Sequence, residues 1–512
     1  MDRKIILFFV LSAASMCLTQ QFDFRQKFGK SDILLQQKKG FTVSPNNNRD
    51  DSKENDYFPP HNTFTPKTNI NLSTERIIDI TPSPHYYPSD LSFRFSDVGL
   101  QRIGRNFIKS NSIISLSLDN NNISEISPFA FRSMRNLRHL NLSGNRIPIQ
   151  KLLSLTGNHN LEMLIINNNH NNYDTSDNDN AEKILQEYEV FQKLEQLQLC
   201  NSQLRDIQVP FYIATPILTH LHLCNNSISS SRAVFDNIPS TLTHLKLDKN
   251  LIDRVEQGKL RNLQELRMNE NEITQVCFEE CETQSIPLKG AIKMRILSLS
   301  KNQISEVSSD AFNDMENLVN LDLSGNKITN LAKDTFNSTV WVTDLSLAYN
   351  ILATIPNVCS MLNLKSLNLT GNRISAVPPD TFCRLQRLEY LYLSDNMITT
   401  IETRAFNLQS LMYLDLSGNQ LKQLPILWIS PWRIQELHLE RNNFIELDDL
   451  SLKNIQSLRN VHLDENPMVK FRAESFQSFP GHVIFHLKNI RVNTTEDTKD
   501  YEDDDIDSRY ID

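Results

Sequence analysis

The stretch LRHLNLSGNRI at residues 137–147 decides how this chain is read. Its phrase, Leu-x-x-Leu-x-Leu-x-x-Asn-x-Ile, returns as LVNLDLSGNKI at 318–328, LKSLNLTGNRI at 364–374 and LEYLYLSDNMI at 388–398. Recognisable copies start at residues 113, 137, 161, 194, 218, 242, 263, 294, 318, 342, 364, 388, 411, 434 and 458, a mean spacing of about 25 residues. Within a copy, Leu140 and Leu142 alternate with Asn141 and Ser143, the period of a strand with one buried face. No single copy can bury its apolar side alone, so stacked copies share one core and lay their strands side by side in a parallel sheet. The asparagine (Asn145, Asn326, Asn372, Asn396) then closes each strand with a turn. Its amide can satisfy backbone groups that a buried bend would leave unpaired. These asparagines are predicted to form a ladder, with a weaker rung at Ser202.

Large side chains recur six residues before the next copy, at Phe131, Tyr212, Phe312, Phe336, Phe382 and Trp428. That position predicts aromatic plugs filling the core from the side opposite the sheet. Phe93-x-Phe95-x-x-Val98-x-Leu100 reads as a degenerate first copy and Phe485-x-Leu487-x-x-Ile490 as a degenerate last one, because terminal repeats need atypical faces.

These residues resemble the extracellular, typical 24-residue class of leucine-rich repeats, which includes Toll-like ectodomains, small leucine-rich proteoglycans and secreted insect leucine-rich immune factors. The resemblance covers roughly residues 91–490. It implies an α/β leucine-rich repeat solenoid, a horseshoe with a parallel concave sheet, of about fifteen repeats plus degenerate terminal ones. The chain departs from the class in lacking cysteine-rich caps. Because the class binds many different partners, the resemblance is specific for fold and not for ligand. It leaves a homodimer open.

Arg3 and Lys4 followed by an apolar run predict a signal peptide at residues 1–20, too short for a membrane anchor. Residues 21–88 hold seven of the 20 prolines without sustained periodicity and read as a disordered N-terminal arm. The solenoid is placed at 89–490 and an acidic disordered tail at 491–512. From residue 495 onward, nine acids stand against Lys499 and Arg509, which accounts for most of the net charge of −9. Tyr501 and Tyr510 among those acids suit tyrosine sulfation. No basic face points to nucleic acid, and no later segment is apolar enough to span a membrane.

With Cys17 in the signal peptide, six cysteines remain. Cys200 and Cys224 each follow the last strand leucine of consecutive copies, and adjacent strands hold such positions about 5 Å apart, within disulfide reach. Cys277 and Cys281 can close a local loop, and Cys359 and Cys383 share one place on adjacent copies. The expected bonds are 200–224, 277–281 and 359–383. N-glycosylation sequons stand at Asn71, Asn122, Asn141, Asn225, Asn337, Asn368 and Asn493. The register turns Asn141 and Asn368 toward the concave face.

The same register marks two clusters there. Tyr390, Tyr392 and Tyr413 fall on adjacent strands and face out, and exposed neighbouring tyrosines favour protein contacts. His220, His222 and His244 gather beside Cys200 and Cys224. They read as a disulfide with ordinary exposed histidines, as a pH-sensitive contact, or as metal ligands; the disulfide competes with the last, and no metal is assigned. His438 and His462 form a further pair at equivalent places. The insertion at 167–180 (NNNHNNYDTSDNDN) lacks the glycine and glutamate of a calcium loop and reads as a projecting loop.

No nucleophile elbow, metalloprotease helix or phosphate loop occurs, so an enzyme is not expected and no cofactor is implied. The leading expectation is a secreted binding protein that takes an extracellular protein ligand or receptor through its concave face, in signalling, adhesion or innate immune recognition. One alternative is a matrix protein binding basic partners through its acidic tail. Another is carbohydrate or microbial-surface recognition.

Overall fold

The computed structural model describes residues 63–64, 78–79 and 91–489, apart from 128, 149–154, 156–157, 170–189, 206–209, 280, 282–283, 383–384, 453–454, 470, 472 and 478. The expected signal peptide, most of the arm, the body of the 167–180 loop, Asn71, Asn493, Cys383 and the tail with Tyr501 and Tyr510 lie outside the described residues. The chain divides into two units, residues 1–272 and 273–512.

In the first unit, strands Leu91–Arg94, Ile113–Ser117, His139–Asn141, Met163–Ile165, Gln196–Gln198, His220–His222, His244–Lys246 and Glu265–Arg267 pair in that order, all parallel. Thr63–Phe64 adds a short strand beside Ser92 and Phe93, and Ile78–Asp79 pairs with Ile108–Lys109. In the second unit, Ile296–Ser298, Asn320–Asp322, Asp344–Ser346, Ser366–Asn368, Tyr390–Tyr392, Tyr413–Asp415, Glu436–His438, Asn460–His462 and Ile484–His486 do the same. The degenerate terminal copies thus supply the strands Leu91–Arg94 and Ile484–His486. The register is one of like with like: Leu197, Leu221, Leu245 and Leu266 stand in a row, and all four are buried. In parallel strands this stacking of identical positions makes the core continuous along each unit.

The asparagine ladder holds the turns. Asn145 Nδ2 donates to its own turn's Leu142 carbonyl at 2.8 Å and to Leu118 of the preceding copy at 3.0 Å, while Oδ1 accepts the Ile123 N–H at 3.0 Å. Asn396 repeats this with Leu393, Leu369 and Ile374. At the odd rung, Ser202 Oγ reaches the Ile166 carbonyl at 3.3 Å. It also accepts the Asn169 N–H at 3.4 Å, so the rung is made with longer contacts. The residue before the asparagine is left-handed in every such turn named here: Gly144 at φ 67°, Gly325 at 65°, but also Lys249 at 55° and Tyr349 at 53°.

The side opposite the sheet carries little helix among the described residues: Phe211–Ala214, Ser231–Phe235, Ala473–Gln477 and a 3-10 turn at Leu447–Leu450. Phe131, Phe312, Phe336, Phe382 and Trp428 are buried plugs. Phe312 stacks on Phe336, Phe382 on Phe406, and Trp428 Nε1 donates to the Leu450 carbonyl at 3.0 Å. Tyr212 is a correction: it is 51% exposed, and Phe211, at 2%, fills the place. Here the segment winds into a helical turn, so Phe211 and Ala214 share the inner face and Tyr212 turns outward.

Candidate functional site

Strand alternation sends every second side chain of a copy to the face away from the core. On the second unit this brings the three predicted tyrosines together. Tyr390 and Tyr413 are register partners. Their ring centroids lie 6.4 Å apart, and Tyr392 and Tyr413 are 5.2 Å apart. Tyr390 is 39% exposed, and the other two are half-buried.

The row does not stop at the tyrosines. Tyr413 lies 5.0 Å from His438, His438 is stacked on His462 at 4.1 Å, and His462 on His486 at 4.1 Å, the last two pairs within 4° of parallel. His486 was not expected. Its signal was present, because the degenerate last copy puts it in register with His462. Glu436 and Glu440, at alternate positions with His438 in ELHLE, were also passed over.

Acidic neighbours set the charge of this row. Burial pulls the His438 imidazole down, but the hydrogen bond to Glu440 Oε1 at 2.8 Å and the charges of Glu440, Asp415 and Glu436 outweigh it, leaving His438 above the ordinary histidine value. His462 goes the other way. Burial and the flanking His438 and His486 hold it below that value against Glu440 and Glu436. Burial first, then the charges of Asp415, Tyr392, Glu440 and Glu436, push the Tyr413 phenol well above its usual range. Tyr413 therefore stays a neutral hydrogen-bonding group at any physiological pH. Glu440 Oε2 is buried with no hydrogen-bond partner, an arrangement that costs free energy unless a donor or cation arrives.

On the first unit, His220 and His244 are register partners stacked at 4.1 Å, and His222 stands beside Lys246. Burial, His244 and Lys246 lower the His220 imidazole, with Glu265 opposing. Cys200 and Cys224 are joined in a disulfide, their Cα atoms 4.6 Å apart. That bond removes both thiolates from metal binding, so the metal reading of this cluster loses its sulfur ligands. Cys277 and Cys281 are also bonded, and Cys359 is disulfide-bonded.

Of the described sequons, Asn122, Asn225 and Asn337 are exposed and Asn368 half-buried. Asn141 is only 3% exposed, its Oδ1 accepting the Ser143 N–H at 2.9 Å. The outer-face positions beside it, Ser117 and Ile165, are buried as well. The register points Asn141 to the outer face of the sheet, and there it is buried.

No described helix is long and apolar enough to cross a membrane. The family described as leucine rich repeat matches residues 111–170, 292–359 and 362–425. A search of curated proteins returns no match. Among solved structures, a leucine-rich repeat protein of Leptospira interrogans is 20% identical with a TM-score of 0.54, the match covering 77% of this chain and 94% of that one. The Toll chain of the Drosophila Toll–Spatzle complex is 20% identical with a TM-score of 0.61, over 79% of this chain and 54% of that one. In its glycosylated form the figures are 21% and 0.59, over 79% and 58%. The matched segments, the asparagine ladder and the parallel stack of strands make this chain a leucine-rich repeat protein that resembles Toll-like ectodomains in fold.

Proposed function

We propose that this is a secreted protein-binding scaffold, acting in extracellular signalling, adhesion or innate immune recognition, that takes its partner on the exposed sheet face of residues 390–462. The observation that carries the reading is the unbroken row Tyr390/Tyr392–Tyr413–His438–His462. Such a row offers large, rigid, amphipathic contact area at small entropic cost. The disulfides support an oxidising compartment. The rigid repeat core is suited to display rather than catalysis, so the chain is read as a binder and not an enzyme.

The test is affinity capture from native extracellular fluid with three baits: the secreted chain, the chain ending at residue 490, and the Tyr390→Ala/Tyr392→Ala double variant. The reading expects one partner common to the first two baits and missing from the third. A partner lost with the tail and kept by the double variant would instead make the acidic tail the binding element, as in a matrix protein.

A further inference from the structure

Two neighbouring strands of the second unit, with the turn that follows the first, place a nitrogen- and oxygen-rich cluster in the aromatic row. Glu436 and His438 share the outer face of one strand, and Asn460 and His462 stand beside them on the next. The two edges of the imidazoles meet different partners. On one edge, Glu440 Oε1 lies 2.8 Å from His438 Nδ1 and 3.8 Å from His462 Nδ1. On the other, Glu436 Oε2 lies 3.7 Å from His462 Nε2. Asn460 Nδ2 donates to Glu436 Oε1 at 2.6 Å, which leaves Oε2 as the oxygen turned toward the ring.

This is how protein metal ligands are commonly held. A carboxylate that accepts the Nδ1–H of a histidine fixes the tautomer with its lone pair on Nε2, and raises the basicity of that nitrogen. Glu440 stands in that position for His438 and close to it for His462. Glu436, His438 and His462 each offer a ligand atom, and the three atoms lie within 4.8 Å of one another. Two imidazole nitrogens, one carboxylate oxygen and an open fourth position form a ligand set that zinc takes, whereas calcium wants six or more oxygens. The orphaned Glu440 Oε2 points the same way, because a cation beyond the two imidazoles would offset the cost of an unpaired carboxylate oxygen. A second triad, Glu440, His462 and Asp464, is as compact, but there Asp464 Oδ1 already accepts the Lys488 N–H and Glu440 Oε1 the His438 hydrogen bond.

We propose that Glu436, His438 and His462 form a zinc-binding site on the exposed sheet face, with Glu440 and Asn460 as positioning residues. Bonds of about 2.0–2.1 Å require the donors to draw in, so loading tilts the two stacked imidazoles until their lone pairs converge. The proposal goes beyond the binding reading above and stands or falls with no protein partner present.

The test uses the full chain, stripped with chelator and titrated with zinc alone at pH 7.4 by calorimetry. One ion per chain is expected. Glu436→Gln and His462→Gln are each expected to weaken it at least about tenfold, and Glu440→Gln by about 10–100-fold with the metal-free chain still unfolding in one cooperative transition. Asp464→Asn is expected to leave affinity within about twofold. Should a histidine variant fail to fold, cobalt added to the unaltered chain is still expected to give the intense visible absorption of a tetrahedral site, discharged by zinc. Absence of zinc uptake, uptake undiminished in Glu436→Gln, or loss on Asp464→Asn overturns the assignment.

Discussion

At the scale of the residue, the asparagine of each turn ties one copy to the next. Asn396 donates to the Leu369, Leu393 and Ser394 carbonyls and accepts the Ile374 N–H. In Asn396→Ala the Leu369 and Leu393 carbonyls keep Asn372 and Asn419 as donors, and the buried Ile374 N–H loses its acceptor. One such group costs about 1–3 kcal/mol when unpaired, so a loss of that size is expected in urea unfolding. A change below about 1 kcal/mol would mean that water replaces the amide. Asp119 offers a pH readout. Burial alone would raise its carboxyl, but hydrogen bonds from Arg94, Ser117 and Ser96 and the charge of Arg94 hold it below the usual value. A depressed folded pKa stabilises above the unfolded value near 3.8 and is lost as pH falls through the folded one. Asp119→Asn should therefore be destabilising at pH 7, with the deficit disappearing toward pH 2. A gap that persists in acid would assign the effect to packing. The leucines, asparagines and outward tyrosines were all legible, because a fixed period assigns each a face. Burial of Asn141 was not legible, because the period gives direction and says nothing of what else packs there.

At the scale of the element, one turn geometry is imposed on varied residues. Lys249 occupies the left-handed position that Gly144 and Gly325 occupy elsewhere. A side chain there costs about 1–2 kcal/mol, and glycine returns part of that as lost chain entropy. Lys249→Gly is expected to raise stability by about 0.5–1 kcal/mol, read as a higher urea midpoint at unchanged slope; a lower midpoint would show that the Lys249 side chain makes a contact worth more than the strain. The weakest rung of the ladder, Ser202, lies two residues beyond Cys200, which a disulfide ties to the neighbouring strand across a separation of 24 residues. Closing a loop of that size is worth about 3 kcal/mol. Replacing both cysteines with serine should lower stability by about that amount, with faster amide exchange in strands Gln196–Gln198 and His220–His222. Uniform exchange would argue against a local tie. The strands were readable in advance and the opposite side was not. Phe211 for Tyr212 shows why: those segments switch between turn and helix, and a helical winding changes which neighbour points inward.

At the scale of the whole molecule, the candidate site was half legible. The tyrosines and His438 with His462 came from register; His486 was carried by the same register in the degenerate last copy but passed over, and only the folded turn shows Glu440 reaching both imidazoles. Glycan placement is a whole-chain consequence of the fold. Peptide mapping of the secreted protein should find glycans at the exposed Asn122, Asn225 and Asn337 and none at Asn141, and a glycan at Asn141 would contradict the burial described there. The like-with-like register carries a last consequence for how such a surface changes over time. Each outward residue of the inner strands of the second unit has one lateral neighbour on either side, Tyr413 lying between Tyr390 and Glu436. Mutational coupling should thus run only between adjoining strands and fade within two. The face then behaves like a line of type, in which one letter can be reset without disturbing the words on either side, and new specificities can be assembled by recombining single copies.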